Sequence, residues 1–379
     1  MDLICSIDLK LVYHKYTNMA GIPDCTLTTA CYLLTSYHSN SRNLEQTLDS
    51  IQTLLSVPCY LVIYCNSAME PHLMERRAPY CSITKIIVQE FEELWCYPLL
   101  ETVKKNREVY WPTRDQRTCA ETHLLTCNKA DFVLQTIHSN PFHTTKFGWI
   151  DANIGANASK LSNSYQNHML LHVLHHVTDK FHLQLLNVTD KKYKQLENKR
   201  EYYLEYRWVA CGCLFTTSKA VGIAILNRFK EIVVQTTEMG YGHGEEMCYL
   251  EILDEFYDDI HRSYGDYKDM LHNFIKHTSN FVYIYWRVII NYYHFGYFRE
   301  CIDACEALLQ QFDDFSVEIN YDLYVRLYDV YYLSLLQTDR NKAEQVANQI
   351  RTYYHAHPIF RQQFDQLRYL CGMNDFNTM

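Results

Sequence analysis

Lys146-Phe147-Gly148-Trp149-Ile150-Asp151-Ala152-Asn153-Ile154-Gly155 is an aromatic and aliphatic run that stops abruptly at an acid. The run predicts a buried strand over Phe147 to Ile150, and the Asp-x-Asn pair predicts where that strand emerges at a sheet edge. Side chains two residues apart leave a strand on the same side. Two oxygen-bearing side chains so placed suit a divalent cation held against a diphosphate, because Mg²⁺ and Mn²⁺ take oxygen ligands from a few side chains and complete their shell with substrate phosphates. An Asp near a loop followed by Asn is also an ordinary turn, so the flanking sequence has to decide.

Upstream, strand and helix patterns alternate. Thr26 to Leu34 reads as a first strand, and Ser41 as the cap of a helix over Asn43 to Ser56 with Leu44, Leu48, Ile51 and Leu55 on one face. Pro58 stops it. Tyr60 to Tyr64 and Ile83 to Val88 are the second and third strands, and Thr113 to His138 reads as one long helix ended by Asn140-Pro141. Downstream, Phe181 to Val188 and Val209 to Thr216 read as strands, Asn163 to Val177 and Lys219 to Val234 as helices. Gly240-Tyr241-Gly242-His243-Gly244 is a loop before a helix that opens with Glu245-Glu246. Such alternation predicts an α/β domain with a mostly parallel sheet covered on both faces, with ligands at the carboxyl ends of the strands. Asp151 stands at one of those ends.

From about Asn280 strand signals vanish. Gly296 to Ala304 recurs loosely as Asp339 to Ala347, which predicts an all-α, tetratricopeptide-like helical-hairpin tail, although the spacing is long for that repeat. The division expected is an N-terminal extension over 1–25, an α/β domain over 26–278 and a tail over 279–379, suited to an acceptor or a protein partner.

With 48% hydrophobic residues in 379, the chain can bury a large core. A net charge of -9 without a basic block argues against nucleic acid as a partner. No apolar run approaches a membrane span. The acidic start lacks a basic n-region, and fifteen cysteines are scattered without regular spacing, so a cytoplasmic, reducing setting is expected. On that expectation the acceptor patterns Asn157-Ala158-Ser159 and Asn187-Val188-Thr189 carry no meaning for glycosylation. His168, His172, His175 and His176 share a helix face, where a mixed polar surface explains them better than a metal. Thirty-two tyrosines suit half-buried helix faces and sugar platforms alike.

These pieces together resemble the HtrL/YibB-like family, relatives of the GT-A glycosyltransferases. The match lies in Thr28 to Tyr32 with Arg42, Tyr60 to Tyr64 with Glu75-Arg76-Arg77, the block Asn128 to Ile154, and Tyr264-Gly265-Asp266-Tyr267 before Leu271 to Phe274. It covers roughly residues 26 to 275, and Lys129 to Ile154 is its most specific part. The resemblance implies a GT-A (nucleotide-diphospho-sugar transferase) sandwich, a nucleoside-diphosphate sugar donor and a divalent cation, Mn²⁺ or Mg²⁺. It makes Asp151 the first metal ligand, Asn153 the second and His272 the third, an ordinary surface position being the alternative for His272. Asn153 departs from the family's second acid and brings no charge. The acidic pair implies Glu246, rather than Glu245, as the base that takes the acceptor proton, and Gly212 in Ala210-Cys211-Gly212-Cys213 matches a small-residue loop where donor and acceptor meet. Arg42, at a helix start, and Lys129 are the cations expected to face phosphates, with solvated surface charge as the alternative. Tyr37 and Asn66, just past strand ends, are placed for the base or ribose.

Two readings follow. One is a metal-assisted glycosyltransferase, UDP-sugar dependent, acting on a glycan or protein acceptor. The other is a non-catalytic scaffold in which a degenerate transferase domain carries a helical interaction module. Asn153 favours the second; Asp151, Glu246 and His272 together favour the first. A nucleotidyltransferase, which shares the sheet and the metal carboxylate, is a weaker third.

Overall fold

The computed structural model describes residues 21–37, 41–109, 119–154, 167–242, 244–267, 270–275, 281–315 and 321–370. Most of the N-terminal extension, His243, Gly155 and the sequon at Asn157 lie outside them, as do the first residues of two of the expected helices. The chain divides into two compact units between Thr278 and Ser279, with Val188–Lys191 grouped with the second.

The first unit is built on seven strands: β1 (Cys25–Cys31), β2 (Tyr60–Cys65), β3 (Thr84–Val88), β4 (Lys146–Ile150), β5 (Phe181–Leu185), β6 (Ala210–Ser218) and β7 (Ile260–Tyr264). They form one sheet in the order β3-β2-β1-β4-β6-β5-β7. Every pairing is parallel except those of β6, which runs antiparallel to β4 and to β5. After β1 the chain builds outward to β3, then crosses back to place β4 on the other side of β1. That reversal falls at the carboxyl ends of β1 and β4, the kind of place where ligands of open α/β sheets bind.

The helices of this unit are α1 (Leu44–Leu55), α2 (Glu70–Arg77), α3 (Leu100–Val109), α4 (Ala120–Cys127), α5 (Lys129–Ser139), α6 (Asn167–His175), α7 (Lys199–Leu204), α8 (Lys219–Glu238), α9 (Tyr249–Glu255) and α10 (Met270–Phe274). Ile51 and Leu54 of α1, Leu170 and Leu174 of α6, and Leu271 and Phe274 of α10 join Leu27, Leu61 and Ile63 in one core. On the other face Phe132 of α5 lies between Tyr64 and Trp149. A sheet sandwiched by helices, mostly parallel with one reversed strand, is the expected GT-A architecture.

Several local readings shift. The cap of α1 is Asn43, not Ser41: its side chain accepts from Gln46 N at 2.9 Å while Gln46 Oε1 accepts from Asn43 N at 3.1 Å. That reciprocal box satisfies two otherwise orphaned amides, an effect of about 1 kcal/mol. The long helix read over Thr113 to His138 is two, broken at Asn128, which ends α4 and begins α5. α3, α7 and β7 have no counterpart in the sequence reading, and α2 occupies the stretch up to Glu75-Arg76-Arg77 that reads as a loop. Arg77, in the Glu75-Arg76-Arg77 segment, is buried and donates to the carbonyls of Leu55, Val57 and Cys59, fastening the turn into β2.

The second unit consists of helices α11 (Phe281–His294), α12 (Phe298–Phe315), α13 (Tyr321–Leu336), α14 (Arg340–Ala356) and α15 (Pro358–Leu370). Gly296 takes φ +75° in the turn between α11 and α12, a left-handed conformation that costs a residue with a Cβ. Asp339 caps α14 by accepting from Lys342 N at 3.1 Å. The small residues of the loose repeat, Ala304 and Ala347, are both buried between helices. Arg368 of α15 donates to Asp329 of α13 at 2.6 Å, an ion pair shielded from solvent.

Candidate active site at the end of the fourth strand

Trp149 on β4 and Asp151 just past its end meet through their side chains: indole Nε1 donates to Asp151 Oδ1 at 2.7 Å. Asp151 is the first residue beyond the strand, yet its amide still donates to Cys213 O at 2.8 Å. The carboxylate is thus fixed at the rim of the sheet, with 19% of the side chain exposed. It is not sealed in the core.

β6 supplies the next wall. Its register against β5 slips between Leu183 and Leu185, so that β6 bulges through Cys211–Gly212–Cys213. Bulges re-aim the groups that follow them, and here the Gly212 carbonyl turns to Lys129 Nζ at 3.0 Å. No side chain fits at that position: a Cβ on Gly212 would stand 2.7 Å from Glu245 Oε1 and 3.2 Å from Lys129 Nζ. Gly212 was expected where donor and acceptor meet, and its carbonyl and bare α-carbon lie against both Lys129 and the acidic pair.

Lys129 was expected as a phosphate-facing or surface charge. It is instead enclosed at the start of α5, with Nζ 2.6 Å from Glu245 Oε1 and 3.0 Å from Asp151 Oδ1. Its ammonium donates to Glu245 Oε1 and to Gly212 O, and Asp151 lies beside them as an ion-pair partner. Burial alone would lower its proton affinity, but the carboxylates of Asp151 and Glu245 outweigh that and hold it well above the usual lysine range.

The acidic pair splits into two roles. Burial would raise Glu245, but the charge and hydrogen bond of Lys129 hold it below the usual carboxylate range. Glu246 is not paired with that ammonium. Burial, and then the charge of Glu245, push it up to about 7, against the pull of hydrogen bonds from Tyr206 and Tyr267. Tyr206 donates to Oε2 at 2.6 Å, and Tyr267 donates to Oε1. Both phenols are raised by burial first and by Glu246 second, so they remain donors. Two neighbouring carboxylates with opposed proton affinities are a recurrent mark of acid–base sites.

Tyr267 arrives through the Tyr264-Gly265-Asp266-Tyr267 segment. Gly265 has φ +155° and no room for a Cβ, which would lie 2.1 Å from Asn273 Nδ2. Gln184, fully buried on β5, donates to the carbonyls of Gly265 and Asp266, and Asn273 donates to that of Asp266. The clasp holds the segment in place and carries the Tyr267 hydroxyl to Glu246. Sequence reasoning gave no site role to Tyr206, Tyr267, Trp149 or Gln184, although Trp149 and Tyr267 stand in the quoted segments and Gln184 interrupts the run Phe181 to Leu185.

The remaining candidates gather less closely. Asn153 is half-buried in the turn after Asp151, and His272 is half-buried on α10. Among the described residues no group of three or more His, Cys, Asp or Glu side chains could hold a metal ion, which includes the histidine row of α6. The Trp149 and Lys129 contacts of Asp151 both fall on Oδ1, which leaves Oδ2 as the carboxylate oxygen the chain can offer a cation. That donor set fits a hard cation only where a diphosphate and water supply most of the shell, the usual habit of Mg²⁺. Arg42 is exposed just before α1. Tyr37 donates to Glu92 at 2.5 Å and packs on Phe91. Asn66 exchanges hydrogen bonds with the backbone of Leu33, at 3.3 and 3.1 Å, tying the ends of β1 and β2 together. A ribose contact would have to share that amide.

The sheet order and the reversed β6 define a mostly parallel α/β sandwich. No family model matches the chain, and no curated protein matches it. Among solved structures, mouse xyloside xylosyltransferase 1 in its apo form is similar at 10% identity, over 62% of this chain and 84% of that one, with a TM-score of 0.36. The mannose-1-phosphate geranyltransferase from Thermus thermophilus is similar at 8% identity, over 64% and 74%, with a TM-score of 0.26. Scores this low carry no weight, so the fold rests on strand order and sense alone.

Proposed function

We propose that the first unit is a glycosyltransferase that moves a sugar from a nucleoside-diphosphate sugar, with UDP as the nucleotide, to an acceptor hydroxyl. The observation that supports this most is the pairing of Asp151 at the strand rim with Glu246 across the Lys129–Glu245 bridge. One carboxylate is partly exposed at the rim of the sheet, at the strand ends where a diphosphate would lie, and its neighbour across the bridge has the proton affinity of a base working near neutral pH. The HtrL/YibB resemblance of the Lys129 to Ile154 block points the same way.

In the transfer the acceptor oxygen forms a bond to the anomeric carbon, the bond from that carbon to the β-phosphate oxygen breaks, and the diphosphate leaves with the electron pair. Glu246, ionised, takes the acceptor proton. Tyr206 and Tyr267 hold its two oxygens in place until then. Asp151 Oδ2, with Asn153 and His272 as further candidates, would hold Mn²⁺ or Mg²⁺, which when bound neutralises the leaving diphosphate. Lys129, 3.0 Å from Asp151 Oδ1, keeps that carboxylate oriented. Arg42, just before α1, is a further candidate cation for a phosphate.

The test is a panel of nucleotide sugars with Mn²⁺, followed by thermal shift and slow donor hydrolysis. A shift with at least one donor, lost in Asp151→Ala, supports the transferase. No shift with any donor supports the non-catalytic scaffold that Asn153 favours. Every described cysteine is a free thiol, and no described helix is long and apolar enough to cross a membrane; both are compatible with the cytoplasmic setting we infer.

A further inference from the structure

Between α7 and β6 the chain runs through Glu205–Val209 without regular structure, and it presents an indole there. Trp208 is 50% exposed. Single exposed apolar side chains are ordinary, but the backbone of this one and the ring beside it are fixed. Its carbonyl accepts from Asn187 Nδ2 at 2.9 Å. The preceding Arg207 lies over the Tyr193 ring at 4.4 Å and donates to Tyr202 O at 3.1 Å. Its ring stands 4.8 Å from that of Tyr206.

Tyr206 is fixed in turn. Its hydroxyl is on Glu246, and its ring lies so close to the backbone of Gly244 that a Cβ there would come within 2.3 Å of the phenol oxygen. The half-exposed indole is therefore held one aromatic ring away from the carboxylate we assign as base. It is also preorganised, so a ligand that covers it does not have to order it first.

A pyranose has an apolar C–H face and a rim of hydroxyls. Laid on an indole, it buries the first and leaves the second free to react, the kind of contact for which flat aromatic side chains at a wet surface are suited. A Ser or Thr hydroxyl on a peptide has no matching flat face. We propose that Trp208, backed by Tyr206, is an acceptor platform, and that the acceptor is a carbohydrate whose pyranose ring lies on the indole while a hydroxyl of that residue or the next reaches Glu246. This rests on the reading of Glu246 as base and narrows the acceptor from glycan or protein to glycan.

The experiment is a glycan array probed with the full chain, its Trp208→Ala variant and its Trp208→Phe variant, together with a set of Ser- and Thr-containing peptides. UDP affinity is measured on the same three samples. Wild type captures pyranose-containing glycans, Trp208→Ala loses about tenfold or more of that affinity, and Trp208→Phe retains part of it. UDP affinity is equal in all three. Equal glycan capture by wild type and Trp208→Ala overturns the platform, and so does capture of peptides alone or of nothing. Absence of UDP binding in every sample contradicts the transferase reading instead, while the glycan arm still decides the platform.

Discussion

Lys129 Nζ lies 2.6 Å from Glu245 Oε1, a buried bond between residues 116 positions apart in sequence. It joins the helix before β4 to the acidic pair after α8, and through the third partner, Asp151, to the rim of the sheet. One ammonium therefore sets the charge balance of the whole site.

Removing that ammonium while keeping its volume leaves Asp151 and Glu245 facing each other without a counter-charge. Lys129→Met is expected to lower stability by about 3–5 kcal/mol, the usual cost of orphaning one half of a buried pair. Urea unfolding checks it: the midpoint falls while the slope stays constant.

Glu246 gives a pH dependence with a definite sign. Its folded pKa of about 7 lies above the 4.5 of a free carboxyl, so the folded state holds the extra proton. The stability it contributes is full below about 4.5 and is lost as pH rises through about 7, an effect on the order of 3 kcal/mol. Glu245, held low by Lys129, acts oppositely, contributing stability that is lost only as the solution becomes acid enough to protonate it. Glu246→Gln should flatten the stability profile between pH 4.5 and 7, read by thermal unfolding at a series of pH values. The same variant is expected to keep donor binding and lose transfer by two or more orders of magnitude, on the order of a general base's contribution. Loss of donor binding in it would refute the assignment of Glu246.

If Glu246 is the base, turnover rises as pH passes through about 7. Glu245→Gln removes the neighbouring charge that helps to raise Glu246, and the acid limb of the rate profile should move down by about one pH unit. An unmoved limb would show that burial alone sets the value.

Gly212→Ala places a methyl 2.7 Å from Glu245 Oε1 and 3.2 Å from Lys129 Nζ. Both groups are buried and paired, so neither can step aside freely. A loss of about 1–3 kcal/mol is expected from the overpacking, with activity reduced more than stability alone explains.

The sheet was legible because its signals are local. Tyr60 to Tyr64 and Phe147 to Ile150 are short apolar runs with breakers at their ends, and Asp151 marks its own position by interrupting one. β7 escaped notice because His261, Arg262 and Ser263 break the apolar pattern on a strand that pairs only with β5. Asn128 is an ordinary residue in a helical stretch until its backbone begins a second helix. The site divides in the same way. Glu246 and Asp151 announce themselves by chemistry, whereas Tyr206 stands 40 residues from Glu246 and Tyr267 stands 21 away. Their convergence is a property of topology. The solvated alternative for Lys129 fails, because the assembled fold buries it with three oxygens around its ammonium.

The most direct test is a crystal of the protein soaked with UDP and Mn²⁺. The account predicts the diphosphate at the carboxyl end of β4, with the metal on Asp151 Oδ2 and Glu246 still held by Tyr206 and Tyr267. Nucleotide density elsewhere on the molecule, or a diphosphate with Asp151 out of its reach, would contradict it.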